Sequence, residues 1–143
     1  MYKNNTNITV RYVETDQMGI VHHSNYYVYF ELAREDLISQ VGISYKDMED
    51  LGIMMPIVET QCRYIEGAKY MDKLIVQTSI EELSPAKVII NYEVIREADN
   101  KVISNGKTIQ AFVDGHSFRI INLRRNHPKI CAKLEGLQAE KIL

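Results

Sequence analysis

One segment of this chain has the hydrophobic period of a long helix, and its first turns are apolar on nearly every side. Between Ser24 and Val41, apolar side chains recur at spacings of three and four, and Gly42 follows as a stop signal. The first turns contain the run YYVYF and leave no polar stripe, whereas charged side chains appear only in later turns. The sequence therefore predicts a helix whose beginning is buried against another layer of structure.

Downstream of this helix the hydrophobic period changes to two, which is typical of strands. Apolar and polar side chains alternate over residues 58–64, 74–81, 88–94 and 102–114. The segment ITVRYV near the amino terminus predicts a fifth strand, and a short helix is expected over Ser44 to Leu51. Connections such as the ADNK turn are too short for parallel crossovers. We therefore expect an α+β fold, in which a curved, mostly antiparallel sheet of about five strands wraps around the single long helix.

The composition predicts one domain over residues 1–143 and argues against several classes of protein. The chain has 17 basic and 19 acidic side chains without a long block of one sign, so nucleic acid is not an expected partner. Cys62 and Cys131 match no zinc or redox spacing, which is typical of a reducing compartment. No apolar stretch has the length of a signal peptide or a membrane span, so we expect a cytoplasmic protein without a transmembrane segment.

The loop before the long helix carries the side chains best placed for chemistry. Asp16, His22 and His23 lie there, and Gly19 permits a sharp bend or the close approach of a ligand. The N–H groups at a helix start favour an anion or a developing oxyanion. Each residue alone also has an ordinary interpretation, since a loop Asp commonly forms a turn and a His near a helix start commonly caps it. One acid beside two adjacent histidines is an incomplete ligand set, so no metal is expected.

The loop and the start of the helix contain a motif of the form D-x-x-G-x-V-x-H-x-N-Y. It is formed by Asp16, Gly19, Val21, His23, Asn25 and Tyr26. The motif resembles the signature of the 4-hydroxybenzoyl-CoA thioesterase family of hotdog-fold proteins, and it is most similar to the acyl-CoA thioesterase branch associated with the Tol-Pal system. The resemblance covers nearly the whole chain in the order of its elements. It implies a hotdog fold, hydrolysis of an acyl-CoA thioester and no cofactor.

Transferred to this sequence, the resemblance assigns three catalytic side chains. Asp16 becomes the catalytic carboxylate, as general base or nucleophile, and His23 and Tyr12 become an active-site histidine and tyrosine. The backbone N–H at position 23 is implied to polarise the thioester carbonyl, which agrees with the role of helix-start donors toward an oxyanion. His22 falls at a variable position, so no function is expected for it. The substrate site is expected to include the other motif residues, Gly19, Val21, Asn25 and Tyr26.

Coenzyme A carries phosphates, so basic side chains are expected near the mouth of the site, with Lys87 and Arg119 as candidates. The resemblance also implies that subunits pair edge to edge, as a homodimer or homotetramer with the active site at the interface. Two other functions stay open. One is a non-catalytic module that binds acyl-CoA or acyl carrier protein, and the other is a hotdog dehydratase.

Overall fold

The structure of the protein, a computed structural model, describes residues 2–139. Its elements follow in the order β1 (Asn4–Thr9), α1 (Asn25–Ser39), α2 (Tyr45–Asp50), β2 (Ile53–Met54), β3 (Ile57–Tyr64), β4 (Lys73–Leu83), β5 (Lys87–Arg96), β6 (Lys101–Ala111), β7 (Val113–Asp114), α3 (Leu123–Asn126) and α4 (Pro128–Gln138). A short 3-10 turn at Tyr12–Glu14 lies between β1 and α1. Ser44 and Asp47 form a reciprocal capping box at the start of the predicted short helix.

The main sheet has the strand order β1-β4-β5-β6-β3, and every neighbouring pair is antiparallel. The helix α1 lies across one face of this sheet, and its buried side chains include Tyr29, Phe30 and Leu37. The ring of Phe30 stacks on Tyr92 of β5, with 4.2 Å between the ring centroids. The predicted α+β arrangement of an antiparallel sheet around a central helix is therefore confirmed.

The first strand begins and ends earlier than the sequence predicts. It covers Asn4–Thr9, whereas the expected strand ITVRYV occupies residues 8–13. The chain leaves the sheet after Thr9 because the Glu14 carboxylate accepts hydrogen bonds from the amide and the Nε of Arg11, at 2.8 and 2.9 Å. These contacts close the 3-10 turn, which places Tyr12 outside the sheet.

A second helix also packs against the hydrophobic core, so the expectation that one long helix covers the sheet is wrong. The buried side chains of α4 are Ile130, Cys131, Leu134 and Leu137. Their spacings of three and four are the helical signal that the sequence carries here. Pro128 occupies the first position of α4, where the missing N–H of proline does no harm.

Gly106 of β6 allows α1 and β3 to approach the same point of the sheet. A Cβ at this position would lie 2.5 Å from the backbone oxygen of Gln61 and 2.8 Å from Cε2 of Phe30. Neither a strand backbone nor a buried ring can move away at low cost. By contrast, a Cβ at Gly115 would meet the flexible side chain of Met54 at 3.3 Å.

We expect Gly106→Ala to lower the free energy of unfolding by about 1–3 kcal/mol, the usual cost of overpacking a core. Urea denaturation measures this change. Gly115→Ala is the matched control and should lose less, because the Met54 side chain can adjust. A Gly106→Ala variant as stable as the parent protein would contradict the packing described above.

Candidate active site

Glu14 fixes the loop that carries the predicted site residues. Its buried carboxylate accepts a hydrogen bond at 2.8 Å from the hydroxyl of Tyr29 on α1, in addition to the two from Arg11. Its backbone carbonyl accepts hydrogen bonds from the amide of His22 and from the side-chain amide of Asn25, both at 2.8 Å. Glu14 therefore ties both sides of the loop to the first turns of α1.

The hydrogen bonds of Glu14 determine its charge. Burial alone would raise the pKa of Glu14, but the bonds from the Arg11 amide, the Tyr29 hydroxyl and the Arg11 side chain outweigh burial and lower it. Burial, followed by the contact with Glu14, raises the pKa of Tyr29. Glu14 therefore stays ionised and Tyr29 stays a neutral donor near neutral pH.

A cavity of about 260 Å³ opens beside this loop. Four of the predicted site residues line it: Asp16, Val21, His23 and Tyr26. Gly19 lies in the turn between Asp16 and Ile20 and has a φ of +81°, a conformation that favours glycine. Asn25 is not part of the wall, since its side chain is bound to the Glu14 carbonyl. The structure thus brings the acid and the histidine to one cavity.

Asp16 both forms a turn and presents a free oxygen. Its Oδ1 accepts a hydrogen bond from the amide of Met18 at 2.9 Å, which is the turn contact expected of a loop aspartate. Its Oδ2 makes no hydrogen bond to any residue between 2 and 139. The second oxygen is therefore available to a substrate or a water molecule.

His23 offers a free backbone donor at the start of α1. The amide of His22 is bound as described above, the amide of Ser24 donates to Nδ1 of His22 at 3.3 Å, and those of residues 25–27 donate to carbonyls three residues earlier. Of the amides from 22 to 27, only that of His23 has no acceptor in the described part of the chain. This N–H lies at the positive end of the α1 dipole, where it can stabilise negative charge.

His22 has the ordinary role of a histidine near a helix start. Its Nδ1 lies 2.9 Å from the Ser24 hydroxyl, and its ring stacks on that of His23 with 4.2 Å between the centroids. The doubled histidine thus caps the turn with one ring and supports the second ring at the cavity.

Tyr64, at the end of β3, is a cavity residue that sequence reasoning missed. Its hydroxyl donates to the backbone carbonyl of His23 at 3.1 Å, and its ring lies edge-on to His23 and Tyr26. Burial, assisted by Cys62, raises the pKa of Tyr64, so the phenol keeps its proton. In the sequence this tyrosine is distinguished only as the last apolar position of an alternating strand.

Tyr12 does not join the cavity within one copy of the chain. Its side chain is 75% exposed and packs edge-on against Tyr70, with 5.6 Å between the ring centroids. No hydrogen bond joins its hydroxyl to Asp16 within residues 2–139. Tyr12 therefore makes no hydrogen bond to Asp16 in the described chain, and its role as an active-site tyrosine stays a prediction.

The structure also does not bring Lys87 and Arg119 to this cavity. Lys87 begins β5, at the opposite end of the sheet, and lies 3.8 Å from Glu82, while Arg119 follows β7. Arg96 and Lys101 instead contact Glu66 in the cavity wall, at 2.7 and 3.4 Å. The predicted phosphate-binding role of Lys87 and Arg119 is not met within a single copy, because strand direction separates them from Asp16.

No group of three or more His, Cys, Asp or Glu side chains in residues 2–139 is arranged to hold a metal ion. Across the same residues, no helix is both long enough and apolar enough to cross a membrane.

The sheet wrapped around α1, with an acid and a histidine in the loop before this helix, defines a hotdog-fold enzyme. The thioesterase-like superfamily matches residues 10–135, so the chain belongs to that superfamily. YneP of Bacillus subtilis, provisionally named an acyl-CoA thioesterase, is 36% identical over 128 residues, which cover 90% of this chain and 92% of YneP. The crystal structure of a DHNA-CoA thioesterase from Staphylococcus aureus is 35% identical, with a TM-score of 0.90 over 100% of this chain and 98% of that chain. The predictions of a hotdog fold and of a thioester hydrolase are confirmed at this level.

We expect Glu14→Gln to lower the free energy of unfolding at pH 7 by about 1–2 kcal/mol, because an amide cannot accept all the hydrogen bonds of the carboxylate. The folded pKa of Glu14 lies below its ordinary value of 4.5, so its contribution is complete above that pH and disappears as the pH falls through the lower folded value. Urea denaturation between pH 3 and pH 7 should therefore show the difference from the parent protein shrinking toward acid. Glu93→Gln, on an exposed position of β5, is the control and should change little.

Proposed function

We propose that the protein hydrolyses an acyl-CoA thioester to a free acid and coenzyme A, with Asp16 as general base or nucleophile. The observation that carries the proposal is one cavity that holds a free carboxylate oxygen of Asp16 and the residue with the free helix-start amide, His23. A thioester hydrolase needs both, an oxygen that activates or replaces water and a donor for the oxyanion. The acyl-CoA substrate class is supported by the names of the relatives described above.

In the general-base form of the reaction, Asp16 takes a proton from water and the water oxygen bonds to the thioester carbonyl carbon. The carbonyl oxygen becomes negative and accepts a hydrogen bond from the His23 amide. The carbon–sulfur bond then breaks, and the thiolate of coenzyme A takes the proton from Asp16. In the nucleophilic form, an Asp16 oxygen bonds to the carbonyl carbon and the carbon–sulfur bond breaks to release the thiolate of coenzyme A. Water then hydrolyses the acyl-aspartyl anhydride to the free acid and regenerates the Asp16 carboxylate, and the proton that water loses neutralises the thiolate. Loss of one oxyanion donor typically costs about 2.7–4 kcal/mol of transition-state stabilisation.

A contact of the Tyr64 hydroxyl supports the proposed role of the His23 amide. Because it donates to the carbonyl of His23, it holds the peptide group that follows the free amide. The His23 ring, edge-on to Tyr64, is left to orient water or the substrate carbonyl. Tyr12 remains a proposed substrate contact, since the residue is exposed and no hydrogen bond in the described chain holds its hydroxyl.

A homodimer formed through β3 is proposed as the minimum assembly. This strand is an edge of the main sheet, and almost all its residues are exposed, among them the apolar Ile57 and Val58. The helix α1 exposes further apolar side chains, Tyr27, Val28 and Leu32. An uncovered apolar edge is a template for strand pairing. Pairing of β3 with the partner's β3 about a twofold axis is antiparallel, so the Ile57 end of one strand meets the Tyr64 end of the other.

The finer relationships also remain proposals. The motif from Asp16 to Tyr26 supports membership of the 4-hydroxybenzoyl-CoA thioesterase family and of its Tol-Pal-associated branch. A cytoplasmic location and a tetramer built from two dimers remain predictions from the sequence.

We expect Asp16→Asn to lower kcat by about 100-fold or more, in the range of a lost general base, while KM and the melting temperature stay nearly unchanged. The substitution is informative because the amide oxygen of Asn can still accept the Met18 hydrogen bond, so the turn is kept and only the free carboxylate is lost. Thiol release from a panel of acyl-CoAs measures the rate.

Asp16→Ala provides the comparison, since it removes the turn contact as well and should lower stability besides activity. Near-normal turnover by Asp16→Asn would show that Asp16 has only a structural role, and it would favour the alternative of a non-catalytic binding module. Hydration or dehydration of enoyl or hydroxyacyl thioesters without thiol release would favour the dehydratase alternative.

We expect Val58→Lys to shift the protein from dimer to monomer in sedimentation velocity at micromolar concentration, because a charged lysine in place of an exposed apolar side chain on an edge strand opposes strand pairing. Val102→Lys, on the inner strand β6, is the matched control and should leave the dimer intact. A parent protein that is monomeric and fully active would overturn the proposed assembly.

A further inference from the structure

The side-chain ring of His23 is held by contacts with other rings and not by hydrogen bonds. Neither of its ring nitrogens has a hydrogen-bond partner among residues 2–139. Its face stacks on the His22 ring, with 4.2 Å between the centroids and 28° between the planes, and Tyr64 meets it edge-on at 6.3 Å. Both nitrogens are therefore left to a water molecule or a substrate, and the two neighbouring rings set the direction in which they point.

His22 makes two contacts that can be separated by substitution. Its ring stacks on His23, and its Nδ1 accepts a hydrogen bond from the Ser24 amide at 3.3 Å. The same nitrogen lies 2.9 Å from the Ser24 hydroxyl. The first contact acts on a side chain of the cavity, whereas the second acts on the backbone at the start of α1.

The stacking contact bears directly on the reaction. His23 is exposed, and exposed side chains exchange rotamers within picoseconds to nanoseconds unless a neighbour holds them. An unsupported ring would direct its nitrogens into the cavity for only part of the time. A contact between aromatic rings favours one arrangement by about two- to tenfold. Since a group that orients water or substrate contributes only in a productive geometry, the His22 ring contributes to turnover through the His23 ring.

The hydrogen bond from Ser24 to Nδ1 has no such link to the reaction. The backbone of His23 is already fixed on both sides, because the amide of His22 donates to the Glu14 carbonyl at 2.8 Å and the Tyr64 hydroxyl donates to the His23 carbonyl at 3.1 Å. Loss of the bond at Nδ1 would therefore leave the proposed oxyanion donor, the His23 amide, in place.

We propose that His22 is a positioning residue, whose ring holds the ring of His23 in the orientation that serves hydrolysis of the thioester. The bond at Nδ1 stabilises the helix start and takes no part in the reaction. This inference rests on the proposed function and adds to it a residue that is absent from the cavity wall. It gives the first histidine of the doubled pair a role of its own.

Two substitutions at position 22 separate the two contacts. His22→Asn removes the ring, but its side-chain oxygen can accept from the amide two residues further on, as in an Asx turn. His22→Phe keeps a ring that can stack on His23 and removes the acceptor. Thiol release from an acyl-CoA gives kcat and KM, and thermal unfolding gives the melting temperature.

We expect His22→Asn to lower kcat by about tenfold while KM and the melting temperature stay nearly unchanged, because a misplaced ring costs transition-state stabilisation without weakening substrate binding. His22→Phe should show the reverse, with kcat within about twofold of the parent protein and a melting temperature lower by a few degrees, the usual effect of a lost cap. His116→Asn, the same substitution at an exposed histidine after β7, is the matched control and should change neither quantity.

A double-mutant cycle shows whether the effect passes through the His23 ring. His23→Ala removes that ring and keeps the backbone amide, so His22→Asn should change kcat by less than about twofold in this background, measured at higher enzyme concentration. A tenfold loss that persists there would mean that His22 acts through the backbone, and it would overturn the inference.

Two other results would also overturn the inference and leave the proposed function intact. One is a parental kcat in His22→Asn, and the other is an equal loss of kcat in His22→Asn and His22→Phe. No thiol release by the parent protein from any acyl-CoA would overturn the proposed function, and this inference with it.

Discussion

The geometry of the candidate site depends on one buried carboxylate. Glu14 accepts hydrogen bonds from the strand side through Arg11 and from the helix side through Tyr29, and its carbonyl holds His22 and Asn25. Asp16 and His23 lie outside this network, yet both are positioned by it, because they are two residues beyond Glu14 and one residue beyond His22. The chain thus places its structural acid and its proposed catalytic acid close together in sequence and gives them opposite surroundings. One is saturated with donors, and the other keeps an oxygen free.

The sequence predicts the elements that have a strong hydrophobic period and misses those that depend on partners distant along the chain. The helix α1 and the strands β3 to β6 follow from spacings of three to four and of two, because each must bury one face. The helix α4 carries a similar spacing from Ile130 to Leu137 and could have been found in the same way. The start of β1 could not, since a strand of alternating Asn and Thr shows little hydrophobic pattern and ends where Glu14 closes a turn.

The candidate site also combines residues that the sequence predicts with residues that it does not. The motif residues from Asp16 to Tyr26 are contiguous, so their proximity follows from the sequence. Tyr64 reaches the site only because β3 ends beside the start of α1. No spacing of residues in the sequence predicts that contact. Lys87 and Arg119 lie away from the cavity of their own copy, because the two ends of a strand are separated whatever the distance in sequence, and their phosphate-binding role stays a prediction. The unpaired Oε1 of Gln110 is equally invisible in sequence, since it depends on which buried atoms of the described residues find a partner.

The proposed pairing of β3 has a consequence for how such proteins diverge. In that antiparallel pair each complete site would take its acid from one subunit and the wall at the Ile57 end of β3 from the other. After a gene duplication, two daughter chains that still associate can each lose a different half without penalty to the remaining intact site. The symmetric enzyme can therefore evolve into an asymmetric pair with one active centre, in which the discarded centre is free to accept a new ligand. Selectivity and chemistry would then be inherited on separate genes, although both began on one chain.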